Sequence, residues 1–137
     1  MILDKATQLL MQLEGFSAKS YWDYKQYTWG FGTKAPGKDA VISRQNATAE
    51  LQARLKADLL RIQSLLKKPV SENAQVALLS FGYNAGIGAA QQMVSDINAG
   101  KSMAIVAARM SLYVNAGGRI NDDLVKRRQT ETSLLIS

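Results

Sequence analysis

The chain has 137 residues and a mass of 15.0 kDa, with 47% apolar and 20% charged residues; this excludes the disordered and fibrous classes and fits one domain with a sizeable core. It contains no Cys and no His, which excludes disulfides, thiolate sites, Ser-His catalysis and the commonest transition-metal ligand, so acid–base chemistry is left to carboxylates, Lys or Tyr. The formal net charge of +6 predicts attraction to an anionic partner, such as nucleic acid, a phospholipid surface or an acidic wall polymer.

The first predicted element is an amphipathic helix that ends at Gly15. Apolar residues recur every three or four positions from Leu3 to Leu13, as on one face of a helix, and the glycine favours its end. Helical periodicity disappears between Phe16 and Ile42, a segment that holds seven of the ten aromatic residues. This segment predicts a small twisted sheet of two or three short strands, near residues 19–24, 27–32 and 40–42.

The remainder of the chain is predicted to be helical. Ser43 can cap a long helix that runs to about Leu66, and Ser71 can cap a second helix that runs to the glycines at positions 86 and 88. Three more helices are predicted at residues 89–99, about 102–114 and about 122–135, the last one favoured by two aspartates at its start.

These elements predict an α+β fold that is predominantly helical, in one domain of residues 1–137. A small N-terminal sheet lobe at about 14–45 is joined by the long helix to a helical lobe at about 60–137, which also takes in helix 3–13. A sheet lobe joined to a helical lobe implies an active-site cleft between them. No apolar run approaches the roughly 18–20 residues of a membrane span, so we expect no stable membrane insertion.

Glu14 is a candidate general acid because of its place in the sequence. At the end of a helix the dipole disfavours an anionic carboxylate, so the proton of Glu14 is held more tightly. Aromatic neighbours such as Phe16 and Tyr21 could exclude water and act in the same direction. A carboxyl group that stays protonated is what a general acid needs. The alternative is a solvated glutamate at a frayed helix end.

Asp23 and Thr28 could complete a hydrolytic site. Asp23 lies among aromatic residues, where an acidic residue is a poor strand former, and a chain reversal at 15–17 would bring it opposite Glu14. Two carboxyl groups in different environments can split a glycosidic bond, one as the acid and one directing water. The Thr28 hydroxyl both donates and accepts, so it could hold that water. The alternatives are an aspartate bonded to its own turn and an ordinary strand threonine.

Three motifs follow one another along the chain. The first comprises Glu14-Gly15, Asp23, Thr28 and a glycine-aromatic-glycine run that ends at Gly32; the second is LLSFGYNAG at 78–86, and the third is LVKRRQTE at 124–131. Together they resemble the motifs of the phage-type lysozymes, the muralytic endolysins of bacteriophages. The resemblance covers about residues 9–134, and three motifs in the family's order are far more specific than one.

The resemblance implies hydrolysis of the β-1,4 bond between N-acetylmuramic acid and N-acetylglucosamine in bacterial peptidoglycan, which lyses the host cell. It implies that Glu14 protonates the leaving oxygen and that Asp23 and Thr28 position the attacking water, mostly with inversion. We expect no cofactor and no metal ion. The chain departs from the family at two points: four residues separate Asp23 from Thr28, where five is usual, and Thr33 stands where many members have histidine.

Three residues of the later motifs are further candidates. Asn84 is a candidate substrate-binding residue that contacts a sugar amide, or else an ordinary asparagine before a helix-ending glycine. Arg127 or Arg128 is a candidate to lie near Glu14 and tie the last helix to the first, although adjacent basic residues on a final helix are usually solvated.

The expected partner is peptidoglycan, bound by a monomer, with no nucleic acid. We expect synthesis in the host bacterial cytoplasm and action on the cell wall, in the periplasm, after release through a separate pore protein, since no signal-peptide core is visible.

Two other functions remain open at this stage. A lytic transglycosylase would cleave the same bond with Glu14 alone and without water, but the presence of Asp23 argues against it. A non-catalytic basic protein that binds the wall or nucleic acid is permitted by the charge. Base stacking is disfavoured, however, because the aromatic residues gather around Asp23 and not among the Lys and Arg clusters.

Overall fold

The computed structural model describes all 137 residues and contains six helices and two small antiparallel sheets. The helices are α1 (Ile2–Glu14), α2 (Arg44–Leu65), α3 (Glu72–Ala85), α4 (Ile87–Asn98), α5 (Met103–Met110) and α6 (Asp122–Ile136). The strands are β1 (Ser17–Asp23), β2 (Gln26–Gly30), β3 (Thr33–Lys34), β4 (Asn115–Ala116) and β5 (Arg119–Ile120). The predicted fold class, α+β and predominantly helical, is confirmed. None of the helices combines the length and the apolar character needed to cross a bilayer.

The chain divides into two compact units. The first unit is formed by Leu3–Lys56, and the second by Met1–Ile2 together with Ala57–Ser137. Helix α2 contributes residues to both units. Residues 3–14 of helix α1 belong to the first unit, together with the sheet. Only Gly15 and Phe16 connect α1 to β1, and such short connections keep consecutive elements together.

The sheet of the first unit has the strand order β1-β2-β3. The third strand predicted at 40–42 is wrong, because Thr33–Lys34 follows a tight turn at Gly32, which has φ +96°, and returns directly beside β2. The predicted segment does lie along β1, where Ser20 N–H donates to the Ala40 carbonyl at 2.8 Å. It forms only an isolated bridge, between Val41 and Lys19.

Two phenylalanine rings pack together with an arginine at the start of α2 in the first unit. The rings of Phe16 and Phe31 contact each other with centroids 5.5 Å apart, and the Arg44 guanidinium lies 5.5 and 5.4 Å from their centroids. Ser43 caps α2, as predicted, by accepting a hydrogen bond from the Asn46 N–H at 3.0 Å. The apolar stripe of the sequence is buried at Ala6, Leu10, Ala47, Leu51 and Leu55.

The second unit is built around α3, which is buried from Val76 to Tyr83. Ser71 caps α3 as predicted, and Ser102 and Asn121 cap α5 and α6 through their side chains. The helix predicted to reach residue 114 ends at Met110, and a two-stranded hairpin, β4-β5, was not predicted. That hairpin turns through two consecutive glycines at positions 117 and 118, both with positive φ, which side-chain-bearing residues rarely adopt.

Candidate active site

The candidate catalytic residues Glu14, Asp23 and Thr28 all lie in the first unit, the first two at the ends of secondary-structure elements and the third within a paired strand. Glu14 is the last residue of α1, and the chain reverses directly after it at Gly15, which has φ +68°. Asp23 is the last residue of β1, at the β1-β2 turn. Thr28 lies in the middle of β2 and is only 2% exposed, whereas both carboxylate residues are half-buried. A carboxyl group on a helix end and another on a hairpin are therefore held by rigid elements.

The register of the hairpin places four polar side chains on one face. Tyr21 pairs with Thr28, and Asp23 pairs with Gln26. Residues directly opposite each other point to the same side of an antiparallel sheet, as do residues two apart on one strand. The intervening pair, Trp22 and Tyr27, points to the other face, where the two rings meet edge to face with centroids 5.2 Å apart.

The pKa of Tyr21 depends on the carboxylates near this face. Partial burial raises the pKa of the Tyr21 hydroxyl above its ordinary value, and the negative charges of Asp23 and then Glu14 raise it further. A carboxylate has this effect only when it lies close enough for its charge to act on the phenol. Of the two carboxylates, Asp23 therefore acts more strongly on the phenol than Glu14 does.

Thr28 has a neighbour that the sequence did not point to. Gln26 Nε2 donates a hydrogen bond of 3.3 Å to Thr28 Oγ1. Tyr21 was expected only as an aromatic neighbour of Glu14, and Gln26 was not expected to be near the site at all. The available signal was the alternation of strand residues: Tyr21, Asp23, Gln26 and Thr28 share a face once the two-residue turn is recognised.

Thr33, at the position where many family members have histidine, takes part in a hydrogen-bond cluster. Its Oγ1 donates to Glu50 Oε1 at 2.8 Å, and the indole Nε1 of Trp29 donates to the same oxygen at 3.0 Å. Glu50 lies on α2, so its carboxylate joins β2 and β3 to that helix. The Thr33 hydroxyl therefore serves as a hydrogen-bond donor to Glu50, a structural role that needs no imidazole ring.

Asn84, Arg127 and Arg128 belong to the second unit, where a buried carboxylate organises them. Glu131 is 0% exposed and accepts from Arg127 Nε at 3.2 Å, from Arg128 Nη1 and from the Ser80 hydroxyl. Arg127 Nη2 also donates to the Ser80 carbonyl at 2.9 Å. These contacts tie α6 to α3, and the two arginines are buried, not solvated. A link from either arginine to the first helix stays a prediction.

Asn84 is exposed at the end of α3, and its side-chain oxygen accepts a hydrogen bond from Arg128 Nη2. It lines a cavity of about 360 Å³ together with Tyr113, Leu124 and Arg128. The bond from Arg128 uses one of the two lone pairs of that oxygen. Nowhere do three or more acidic side chains gather in the way that a metal ion requires.

Comparison with known proteins gives concordant results. The family model described as phage lysozyme matches residues 11–131. An endolysin of Bacillus phage PZA is 32% identical over 94% of this chain and 52% of the relative, and an endolysin of Lactococcus phage c2 is 28% identical over 92% of this chain and 56% of the relative. The chain therefore spans about half the length of these curated relatives.

Two solved structures share the fold over nearly the whole chain. The endolysin from Escherichia coli O157:H7 phage FAHEc1 superimposes with a TM-score of 0.81 at 26% identity, covering 97% of this chain and 91% of that one. The muramidase domain of SpmX from Asticaccaulis excentricus superimposes with a TM-score of 0.88 at 23% identity, covering 100% of this chain and 98% of that domain. At that identity the second likeness concerns the fold alone.

Proposed function

The chain belongs to the phage lysozyme family, and from this premise we propose that it hydrolyses the β-1,4 bond between N-acetylmuramic acid and N-acetylglucosamine in bacterial peptidoglycan. We assign Glu14 as the general acid and Asp23, with Thr28, as the groups that direct the attacking water. The observation that supports this assignment is positional: Glu14 ends α1, and Asp23 and Thr28 lie on one face of the β1-β2 hairpin that follows it. The raised pKa of Tyr21, to which both carboxylates contribute, agrees with it. Most glycoside hydrolases use a pair of carboxyl groups.

The proposed reaction exchanges one glycosidic bond for one bond to water. Glu14 gives its proton to the bridging oxygen as the bond from that oxygen to the anomeric carbon breaks. Water attacks the same carbon from the opposite face and loses a proton to Asp23. The products are two glycan ends, one of them reducing, and the proton gained by Asp23 returns to Glu14 through solvent. Attack from the opposite face inverts the anomeric configuration.

The net charge fits the proposed substrate. Seventeen Lys and Arg residues against eleven Asp and Glu residues give +6, which favours association with an anionic wall at low ionic strength. We further propose that Asn84 contacts the glycan, and that the protein acts as a monomer on the cell wall after synthesis in the host cytoplasm and release through a separate pore protein.

The test uses two matched substitutions in the first unit. Glu14→Gln and Asp23→Asn keep the size of each side chain and remove its acid–base function, so each should lower turnover of purified peptidoglycan by about 10²- to 10⁴-fold while the melting temperature changes little. Glu72→Gln, at an exposed glutamate of the second unit, is the control and should retain full activity. Undiminished turnover by either active-site variant would contradict its assignment.

Mass analysis of the released muropeptides separates hydrolysis from the alternative reaction. Hydrolysis leaves reducing ends, whereas a lytic transglycosylase closes the sugar on itself and leaves an anhydro-sugar. Reducing ends that depend on both Glu14 and Asp23 are the expected result. Anhydro products, with no requirement for Asp23, would overturn the proposed reaction.

A further inference from the structure

Gln26, on β2, makes a side-chain contact that pairing of the two strands does not require. It lies directly opposite Asp23 in the β1-β2 pair, and its amide Nε2 lies 3.3 Å from Thr28 Oγ1, two residues along the same strand. An amide N–H group can only donate, so this contact uses one of the two lone pairs of the Thr28 hydroxyl. Gln26 therefore touches the threonine of the proposed site and faces its aspartate.

This hydrogen bond sets the direction of the Thr28 hydroxyl. Thr28 is 2% exposed, and the Gln26 amide is the side-chain partner that the structure gives its hydroxyl. One lone pair and the hydroxyl hydrogen are left for other partners, and the amide sets the direction in which they point. Asp23 lies diagonally across the pair from Thr28, on the same face, at the separation of about 7–8 Å typical of such positions.

We infer that Gln26 is a positioning residue for the hydrolytic water. It holds the Thr28 hydroxyl so that the second lone pair accepts one hydrogen of a water molecule whose other hydrogen is directed to Asp23. Both hydrogens of the water are then bonded, and its own lone pairs face the anomeric carbon. Gln26 acts through Thr28 and does not itself touch the reacting atoms. This inference rests on the proposed function and adds one residue to it.

The primary test is Gln26→Met, which keeps the length of the side chain and removes the donor. With a purified soluble glycan fragment of peptidoglycan as substrate, we expect kcat to fall about fivefold to tenfold, as for the loss of one partly buried hydrogen bond, and KM to change less than about twofold. Gln8→Met, at an exposed glutamine of α1, is the matched control and should leave both constants unchanged. A purely structural role would lower the melting temperature of Gln26→Met without a selective loss of kcat.

A double-mutant cycle with Thr28→Val shows whether Gln26 affects kcat through the Thr28 hydroxyl. If Gln26 acts through the threonine hydroxyl, adding Gln26→Met to Thr28→Val should lower kcat by less than about twofold further. Losses that multiply in the double variant would overturn the inference, as would an unchanged kcat in Gln26→Met alone.

The outcome for Gln26 can be separated from the outcome for the proposed function. If the wild-type chain cleaves the glycan and Glu14→Gln does not, the proposed function stands and the cycle judges Gln26 alone. If the wild-type chain does not cleave the glycan, the proposed function is wrong, and the inference about Gln26 is refuted with it.

Discussion

Replacing Glu131 with alanine should destabilise the second unit strongly, although Glu131 lies far along the chain from the proposed catalytic residues. The side chain is 0% exposed and binds the guanidinium groups of Arg127 and Arg128 and the hydroxyl of Ser80. The two arginines are themselves only 7% and 2% exposed. Glu131→Ala therefore leaves two buried positive charges without their carboxylate, in a place that water reaches poorly.

The magnitude follows from the cost of breaking a buried ion pair. Removing one partner of such a pair typically costs about 3–5 kcal/mol, a large part of the 5–15 kcal/mol by which domains are stable. For a chain of 137 residues, 1 kcal/mol corresponds to about 3.5 °C in the melting temperature, so the expected fall is about 10–17 °C. Residual contacts of Arg127 with the Ser80 carbonyl and of Arg128 with Asn84 and the Tyr113 carbonyl favour the lower end of this range.

Thermal and urea unfolding, followed by circular dichroism, measure this loss. Glu72→Ala is the control, because Glu72 is 55% exposed on the same unit and pairs only with the N-terminal ammonium group at 3.8 Å. Its removal should cost less than about 1 kcal/mol. If Glu131→Ala lost no more than Glu72→Ala, the arginines would not depend on this carboxylate, and the argument that Glu131 organises α3 and α6 would be refuted.

Three further outcomes are expected in the first unit. Asp23→Asn and, to a smaller extent, Glu14→Gln should lower the raised pKa of Tyr21 towards 10, measured by NMR titration of the ring; an unchanged pKa would place the carboxylates farther away. The Tyr21 phenol stays protonated in the folded chain at pH values where it ionises in the unfolded chain, so wild-type stability should fall as pH rises above about 10. Tyr21→Phe should lose less stability over that range, as measured by urea unfolding. Gly30→Ala should lower the free energy of unfolding more than Gly15→Ala. The positive φ costs about 1–2 kcal/mol at both positions, but only at Gly30 does the added methyl lie 3.0 Å from a side-chain carbon of α2. Equal losses in unfolding experiments would contradict that close approach.

The helices were predictable because their signals are local. Helix α2 was predicted at about 43–66 and spans Arg44–Leu65, and α3 begins directly after Ser71, the predicted cap. A capping side chain bonds a backbone N–H three residues away, and an apolar stripe repeats within one turn. Both signals can be read without knowing what lies across the core, so these boundaries came out within one or two residues.

The third strand and the second hairpin were missed because strands depend on partners. Val41 and Ile42 have strand-forming side chains, yet Thr33–Lys34 is the segment that pairs with β2, after the turn at Gly32, and residues 40–42 form only a bridge to β1. Likewise residues 111–114 carry apolar side chains at helical spacing, but α5 ends at Met110 and the hairpin β4-β5 follows at residues 115–120. Local propensity does not say which segment reaches a sheet edge.

The sequence by itself determined the helical architecture, the family and the three candidate residues Glu14, Asp23 and Thr28, because motif spacing, capping and periodicity are all expressed over short stretches of chain. Only the tertiary structure decided that Tyr21 shares a face with Asp23 and Thr28, that Gln26 bonds Thr28, and that Glu131 holds two arginines inside the second unit. These contacts depend on strand register, burial and charge, which arise only when segments distant in sequence have packed together.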